Sequence, residues 1–359
     1  MLAPPPLPRT LDAALRDLAS PRAETRASAL PDLVRHALSS DDVRARAIPL
    51  ATAALTKDES PRVRSAAAVA LGDLRADSAL PALLVAIEDP DVHVRQMALN
   101  ALGEIGDLRA VPRLARALDD ARPEVRYQAV IAYARLATDA GDVDRALARA
   151  CADEDDAVRY IALRVAEERI DARSRATCGA QVLAEARARV DNDVPHVALA
   201  AAILVAKSGG ESEERARAII LEVVRGGKVG ASLAEKEDER ECVELAGAIG
   251  LREAIPDLER RAWGLAALVR DTCAWHAKIA LARMGHARAS SEIVRDLDSP
   301  RADTRSAAIV AAGRARLVQA RDKIASMKTE VADPQLVIDA LSQLEERQLE
   351  ERQLEERGA

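Results

Sequence analysis

Apolar residues recur along this chain at helical spacing. Leu80, Leu83, Leu84 and Ile87 stand at i, i+3, i+4 and i+7, which makes one apolar stripe. Asp89-Pro90-Asp91 then stops that stripe and supplies a cap for the next helix. Val94, Ala98, Leu102 and Ile105 form the stripe of a second helix. Gly103 and Gly106 fall where the chain is expected to loosen and turn, and Pro81 lies in the first turn of its helix, where a missing N–H costs nothing. The β-branched and aromatic runs that mark strands are absent. The predicted unit is a helical hairpin with two apolar faces. One hairpin alone cannot bury both, so stacking on neighbours must do it.

The hairpin repeats. Arg64, Arg95 and Arg126 each follow a valine and are spaced 31 and 31 residues apart, with Arg159 a further 33 along. Arg26 and Arg305 stand in related contexts, Glu24-Thr25-Arg26 and Asp303-Thr304-Arg305. Asp58, Asp89, Asp120 and Asp153 each precede a motif arginine by six positions. Gly72, Gly103 and Gly313 follow one by eight. A second marker opens the next unit: Ala79-Leu80-Pro81-Ala82-Leu83, then Ala110-Val111-Pro112-Arg113-Leu114, then Ala254-Ile255-Pro256-Asp257-Leu258. A fixed period of this length marks an all-α solenoid of stacked hairpins, with about nine or ten units in this chain.

These motifs resemble the HEAT family, in particular its short bacterial form, the HEAT-like repeat of phycobilisome lyases. The resemblance rests on the D-x5-R spacing, the VR start of the second helix, the LG near its end and the A-[LIV]-P-x-L restart. It implies a HEAT/armadillo-like superhelix with the second helices on the concave side. It also implies a hydrogen-bonded ladder between units, carried here by Asp58, Arg64, Asp89, Arg95, Asp120, Arg126, Asp153 and Arg159. A guanidinium can reach carboxylate and backbone oxygens together, so the chemistry suits a structural role. The expected organisation is a proline-rich segment over 1–9, capping repeats over 10–54 and regular repeats over 55–170. Divergent helical repeats with an acidic loop follow over 171–241, the loop being the run Glu235–Glu241. Further HEAT-like repeats occupy 242–325, and a C-terminal helix with a charged QLEER tail occupies 326–359.

Composition narrows the function. There is no Phe, with three Tyr and two Trp, so the core must be filled by small and aliphatic residues at close helix contacts. The net charge of −7 and the lack of a basic stripe argue against nucleic acid as a partner. Cys151, Cys178, Cys242 and Cys273 are far apart and form no CxxC pair, which suits buried thiols in a reducing compartment. No secretory signal is visible and the longest apolar run, Val197–Ala206, is far short of a membrane span. A cytoplasmic location is expected.

Candidate chemistry is sparse. Cys273 and His276 stand at i, i+3, with His286 as a third residue, but a zinc site needs three or four well-placed ligands. Packing is the favoured reading, with no metal or cofactor. Gly226-Gly227-Lys228-Val229-Gly230 lacks the phosphate-loop pattern and a preceding strand. No nucleophile–base arrangement can be named, so the chain is read as a non-enzyme. Counting from the motif arginine as i, positions i+1, i+5 and i+9 face away from the core. They offer Ser65, Val69 and Asp73, then Gln96, Asn100 and Glu104, then Tyr127, Ile131 and Arg135, then Tyr160, Arg164 and Glu168, and late in the chain Ser306, Val310 and Arg314. Tyr133 falls on the core side instead. The candidate partner-binding residues are therefore Gln96, Asn100, Tyr127, Arg135, Tyr160 and Arg164, since Tyr and Arg are favoured interface anchors. Ordinary solvated surface is the competing account of the same residues. The expected function is a scaffold holding a protein or peptide in its groove. The alternatives are an accessory factor like the bilin lyases, by analogy of repeat type, and a HEAT-like DNA-lesion binder.

Overall fold

The structure, a computed structural model, describes residues 8–171, 178–208, 214–264, 273–327 and 333–345. The QLEER repeats beyond Glu345 lie outside the described residues. The chain forms two units, 1–186 and 187–359, each a stack of helices, the second with one short β-hairpin.

The first unit holds α1 (Leu11–Asp17), α2 (Ala23–Ala37), α3 (Asp41–Lys57), α4 (Pro61–Asp73), α5 (Leu80–Ala86), α6 (Val92–Ile105), α7 (Val111–Ala117), α8 (Pro123–Leu136), α9 (Ala140–Cys151) and α10 (Asp156–Asp171). Each first helix packs on its own second helix: α3 on α4, α5 on α6, α7 on α8, α9 on α10. The second helices also pack directly on one another, in the order α2, α4, α6, α8, α10. That side is the tightly packed one, because its contacts are made by small residues. Ala67, Ala98, Ala101, Ala129 and Ala132 are all buried there.

Gly72 and Gly103 serve this close approach. A Cβ at Gly72 would stand 2.9 Å from the Ala101 Cα, and one at Gly103 would stand 3.4 Å from the Ala132 Cβ. Gly103 therefore does not loosen the turn, as its place in the pattern suggested. It is a buried residue inside α6, and the next helix leaves no room for more than a small side chain. Gly106 does make the turn, capping α6 at φ 82°, a region that disfavours side chains.

A ladder of ion pairs ties consecutive hairpins. Arg26 donates to Asp58 through Nε and Nη2 at 2.7 and 2.8 Å, and Arg64 to Asp89 at 2.8 and 2.8 Å. Arg95 reaches Asp120 at 3.2 and 3.3 Å, and Arg126 reaches Asp153 at 2.8 and 2.6 Å. The remaining Nη1 of each arginine donates to carbonyls in its own hairpin's turn, as from Arg64 to Asp58 and Glu59 and from Arg126 to Asp120. Each aspartate does two jobs. It accepts the arginine of the preceding unit, and it accepts the N–H two residues on, from Ser60, Asp91, Arg122 and Asp155 in turn. Arg159 repeats the carbonyl contacts at Asp153 and Glu154. The structure adds Arg26 as a donor to the expected set.

Helix α11 (Ala180–Asn192) carries the division between the units. The second unit contains α12 (Pro195–Lys207), α13 (Glu214–Gly226), α14 (Lys236–Ala248), α15 (Ile255–Trp263), α16 (Ala274–Arg283), α17 (Ala287–Asp296), α18 (Ala302–Arg314), α19 (Arg321–Ser326) and a helix over 334–345. A two-stranded antiparallel hairpin, β1 (Lys228–Val229) with β2 (Ser232–Leu233), links α13 to α14. The glycine run Gly226-Gly227-Lys228-Val229-Gly230, set aside as a phosphate loop, is the end of α13 and the start of this hairpin.

The acidic run is not a loop. From Lys236 on, it is the start of α14, where carboxylates favour the positive end of a helix. Asp238 and Glu239 are buried. Arg261 of α15 donates to Glu239 at 2.8 Å and to the carbonyls of Val224 and Val223 at 2.6 and 3.3 Å. α14 packs on α16 as α6 packs on α8, and a Cβ at Gly247 would stand 2.5 Å from the Ala280 Cα. No helix among the described residues is long and apolar enough to cross a membrane.

Candidate partner-binding surface

Among the described residues, the second helices of the first unit have one face that no other helix covers, and the candidate residues lie on it. Tyr127, Tyr160, Gln96, Asn100 and Arg164 are half-buried, and Arg135 is exposed. Tyr127 on α8 and Tyr160 on α10 hold equivalent positions of adjacent packed helices. Tyr133 is in the core, as its position requires. Ser65 departs from expectation. It is buried, its hydroxyl donating to the Arg62 carbonyl at 3.1 Å, because a small side chain folds back onto its own helix.

Polar side chains cross-tie this face. Gln96 Nε2 donates to the Glu124 carbonyl at 3.1 Å, and Gln128 Nε2 donates to Asn100 Oδ1 at 3.3 Å. Arg135 pairs with Glu104. Arg164 pairs with Glu167 of its own helix at 2.7 Å. So Gln96, Asn100 and Arg135 hold neighbouring helices in register as well as presenting themselves to solvent. Gln128 was not among the residues expected here. It stands two positions after the motif arginine, where the register between helices brings it opposite an i+5 residue. Asp73 lies next to Glu104. Burial first, and the Glu104 charge second, push its carboxyl above the usual range.

The same register operates in the second unit. Glu244 lies three residues before Gly247, as Asn100 lies three before Gly103. Its Oε1 meets His276 Nδ1 at 2.6 Å and accepts from Arg314 at 3.0 Å, joining α14, α16 and α18. Burial pushes the Glu244 carboxyl up, but the hydrogen bond from His276 and the Arg314 charge outweigh it, leaving it below its ordinary value. Alignment on the glycine would have found Glu244.

The residues weighed as metal ligands are not brought together. Cys273 is buried at the start of α16, His276 is engaged with Glu244, and His286 reaches Glu259 at 3.1 Å while capping α17. No group of His, Cys, Asp or Glu suited to a metal occurs among the described residues. Trp263 is a packing residue. Its indole N–H donates to Glu292 at 3.0 Å, and the Arg288 guanidinium lies 4.1 Å over its ring. Trp275 lies beside Lys278, whose ammonium is 5.9 Å from its ring centre.

Stacked hairpins, the arginine–aspartate ladder and a bare second-helix face define a class, the HEAT-repeat proteins. Residues 48–134 match the profile for HEAT repeats. It is similar to the Escherichia coli YibA structure, at 16% identity and a TM-score of 0.53, over 77% of this chain and 92% of that one. It is similar to Kap121p in its complex with Ste12p, at 13% identity and a TM-score of 0.50, over 93% of this chain and 41% of that one. The complex of CpcE and CpcF of phycocyanin lyase from Nostoc is more distant in shape. Its TM-score is 0.43 at 20% identity, covering 72% of this chain and 96% of that one. No curated protein matches the sequence.

Proposed function

We propose that this chain is a non-enzymatic scaffold that holds a protein or peptide partner on the second-helix face of its first unit, in the cytoplasm. The observation that carries the reading is the placement of Tyr127 and Tyr160 at equivalent positions of adjacent helices, half-buried, on a face that no helix covers among the described residues. Aromatic side chains with few rotatable bonds make strong anchors at low entropic cost. The cross-ties among Gln96, Asn100, Gln128, Glu104 and Arg135 hold that face in one arrangement before anything binds, which favours affinity. Kap121p, similar in fold, is found bound to Ste12p, so a helical array of this kind can hold another protein.

The test is capture of a partner from native cytoplasm by the full chain, repeated with Tyr127→Ala and Tyr160→Ala together. The expected result is loss of capture by more than about tenfold, as befits two interface anchors, with the melting temperature nearly unchanged. Undiminished capture overturns the reading. Retention of DNA at low salt that falls steeply as salt rises would replace it with a nucleic-acid function. A visible-band shift on mixing with a tetrapyrrole would replace it with a bilin-related one.

A further inference from the structure

We infer that the occupant of this face is a peptide in extended conformation, crossing the helices with a lysine or arginine beside Asp73 and Glu104 and an apolar side chain over Ile131 and Ile161. The inference rests on the reading just given, that this face binds a peptide, and adds the peptide's conformation, charge and spacing.

Two of the three rows of the face carry it. In the middle row, the register that brings Asn100 against Gln128 places Val69 with Met97 on one side and Ile131 with Ile161 on the other, all half-buried. The centre of that row is the Asn100–Gln128 pair. One Gln128 N–H is used on Asn100 Oδ1. The Asn100 amide N–H groups and the Gln128 carbonyl oxygen are left without a partner among the described residues. A free donor beside a free acceptor matches the N–H and C=O of an extended main chain. A helical ligand has those groups already bonded to each other and would leave the amide pair unmatched. The apolar positions are also a single interrupted row, too narrow for the broad stripe of an amphipathic helix.

The row nearest the helix C-termini sets the charge. It holds Asp73, Glu104, Arg135 and Glu168, one base against three acids. Arg135 is committed to Glu104, and among the described residues Asp73 has no cationic partner. A cation from outside would neutralise the pair of carboxylates that Arg135 alone does not. The spacing follows from packing. From the α4–α6 joint to the α8–α10 joint is two helix spacings of roughly 8–10 Å each, which an extended chain rising about 3.3 Å per residue covers in about six residues.

The test is selection from a random dodecapeptide phage library on the immobilised full chain. Expected is enrichment of sequences carrying Lys or Arg about six residues from a Leu, Ile, Val or Phe. The combination Asp73→Lys with Glu104→Gln should abolish the basic preference and weaken a selected peptide by about tenfold, since rim charges steer and select more than they anchor. Asn100→Leu should weaken it comparably without changing the charge preference. Peptides that are lost with Tyr127→Ala and Tyr160→Ala but keep their basic preference in the Asp73→Lys variant would overturn this inference and leave the face reading standing. Enrichment indifferent to the tyrosines as well, or none above uncoated support, would overturn both.

Discussion

The two units solve the same joint with opposite chemistry. In the first, the second helix supplies the arginine and the next turn supplies the carboxylate, four times over from Arg26–Asp58 to Arg126–Asp153. In the second, at α14, the second helix supplies the acid, Glu239, and the following first helix supplies the base, Arg261. The constant is the guanidinium, which binds helix-end or turn carbonyls and a carboxylate at once: Arg64 on Asp58 and Glu59, Arg261 on Val224 and Val223. The joint requires a cation with several donors at the orphan carbonyls where helices end. Which helix carries it is free. The spacing motif is therefore one solution to a geometric demand, and its loss over 171–241 does not mean loss of the fold.

Close approach of second helices is common to both units, and breaking it should have the largest effect. Gly247→Val would press a side chain into the Ala280 Cα and carbonyl, 2.5 and 2.7 Å from a modest Cβ. We expect a loss of about 3 kcal/mol, at the upper end for overpacking. Gly103→Ala meets Ala132 only at 3.4 Å and gains up to about 1 kcal/mol of helix propensity, so it should sit near the parent. Urea denaturation of both variants distinguishes a packing role from a turn role. If Gly103→Ala were as damaging as Gly247→Val, the close-approach account would fail.

The ladder comes next. Arg126 is the most buried rung, 8% exposed, with contacts of 2.6 and 2.8 Å to Asp153. Arg126→Ala should cost about 3 kcal/mol, because it strands a largely buried carboxylate and releases turn carbonyls. Arg95 should matter less. Its contacts to Asp120 are longer and its Nε makes no aligned hydrogen bond. In the second unit, Arg261→Ala should resemble Arg126→Ala, since among the described residues Glu239 would keep only Lys236 as a cationic partner. Exchanging the pair, Glu239→Arg with Arg261→Glu, should not restore stability. A carboxylate at 261 would face the Val224 carbonyl. Recovery in the exchange variant would show that charge pairing alone sets the joint.

The ladder was readable in the sequence because both partners sit at fixed offsets inside one repeat. Ser20 and Ser299 replace aspartate six positions before Arg26 and Arg305, and each still accepts the N–H two residues on. Glu239 was illegible for the complementary reason. Its partner lies 22 residues away in a different frame, so the run around it looked like solvated charge. The surface was half legible. Offsets from the arginine placed Tyr127, Tyr160 and Tyr133 on their proper sides. They could not show that Gln96, Asn100 and Arg135 would tie helices together, because that depends on the shift in register between neighbours.

Acid should weaken both units through their paired carboxylates. Asp58 is held below the ordinary range mainly by Arg26. For Asp89 and Asp153 burial acts upward first, but the hydrogen bonds from Arg64 and Arg126 more than offset it. In the second unit, burial likewise pushes Glu292 up, yet Lys278, Trp263 and Arg288 bring it down to about 2. A carboxyl lowered on folding contributes stability that is present above its unfolded value and is lost as pH falls toward its folded one. Stability should thus decline below about pH 4.5. Glu292→Gln should lower stability at neutral pH and flatten the decline between 4.5 and about 2. An unchanged acid slope in that variant would place the loss elsewhere.

Asp73 should show the opposite sign and the smallest effect. Its carboxyl is raised by burial and by Glu104, so the folded chain binds that proton more tightly than the unfolded one. Its contribution is unfavourable at neutral pH and eases as pH falls through the raised value. Asp73→Asn should therefore raise the melting temperature slightly, on the order of 1 °C for an exposed group, with the gain vanishing at low pH. The same change should weaken a basic peptide. A charge that the folded chain is better off without, on a face tied for rigidity, is the expected signature of a group kept for binding. A fall in melting temperature with Asp73→Asn would instead make Asp73 part of the helix-to-helix ties, alongside Glu104 and Arg135.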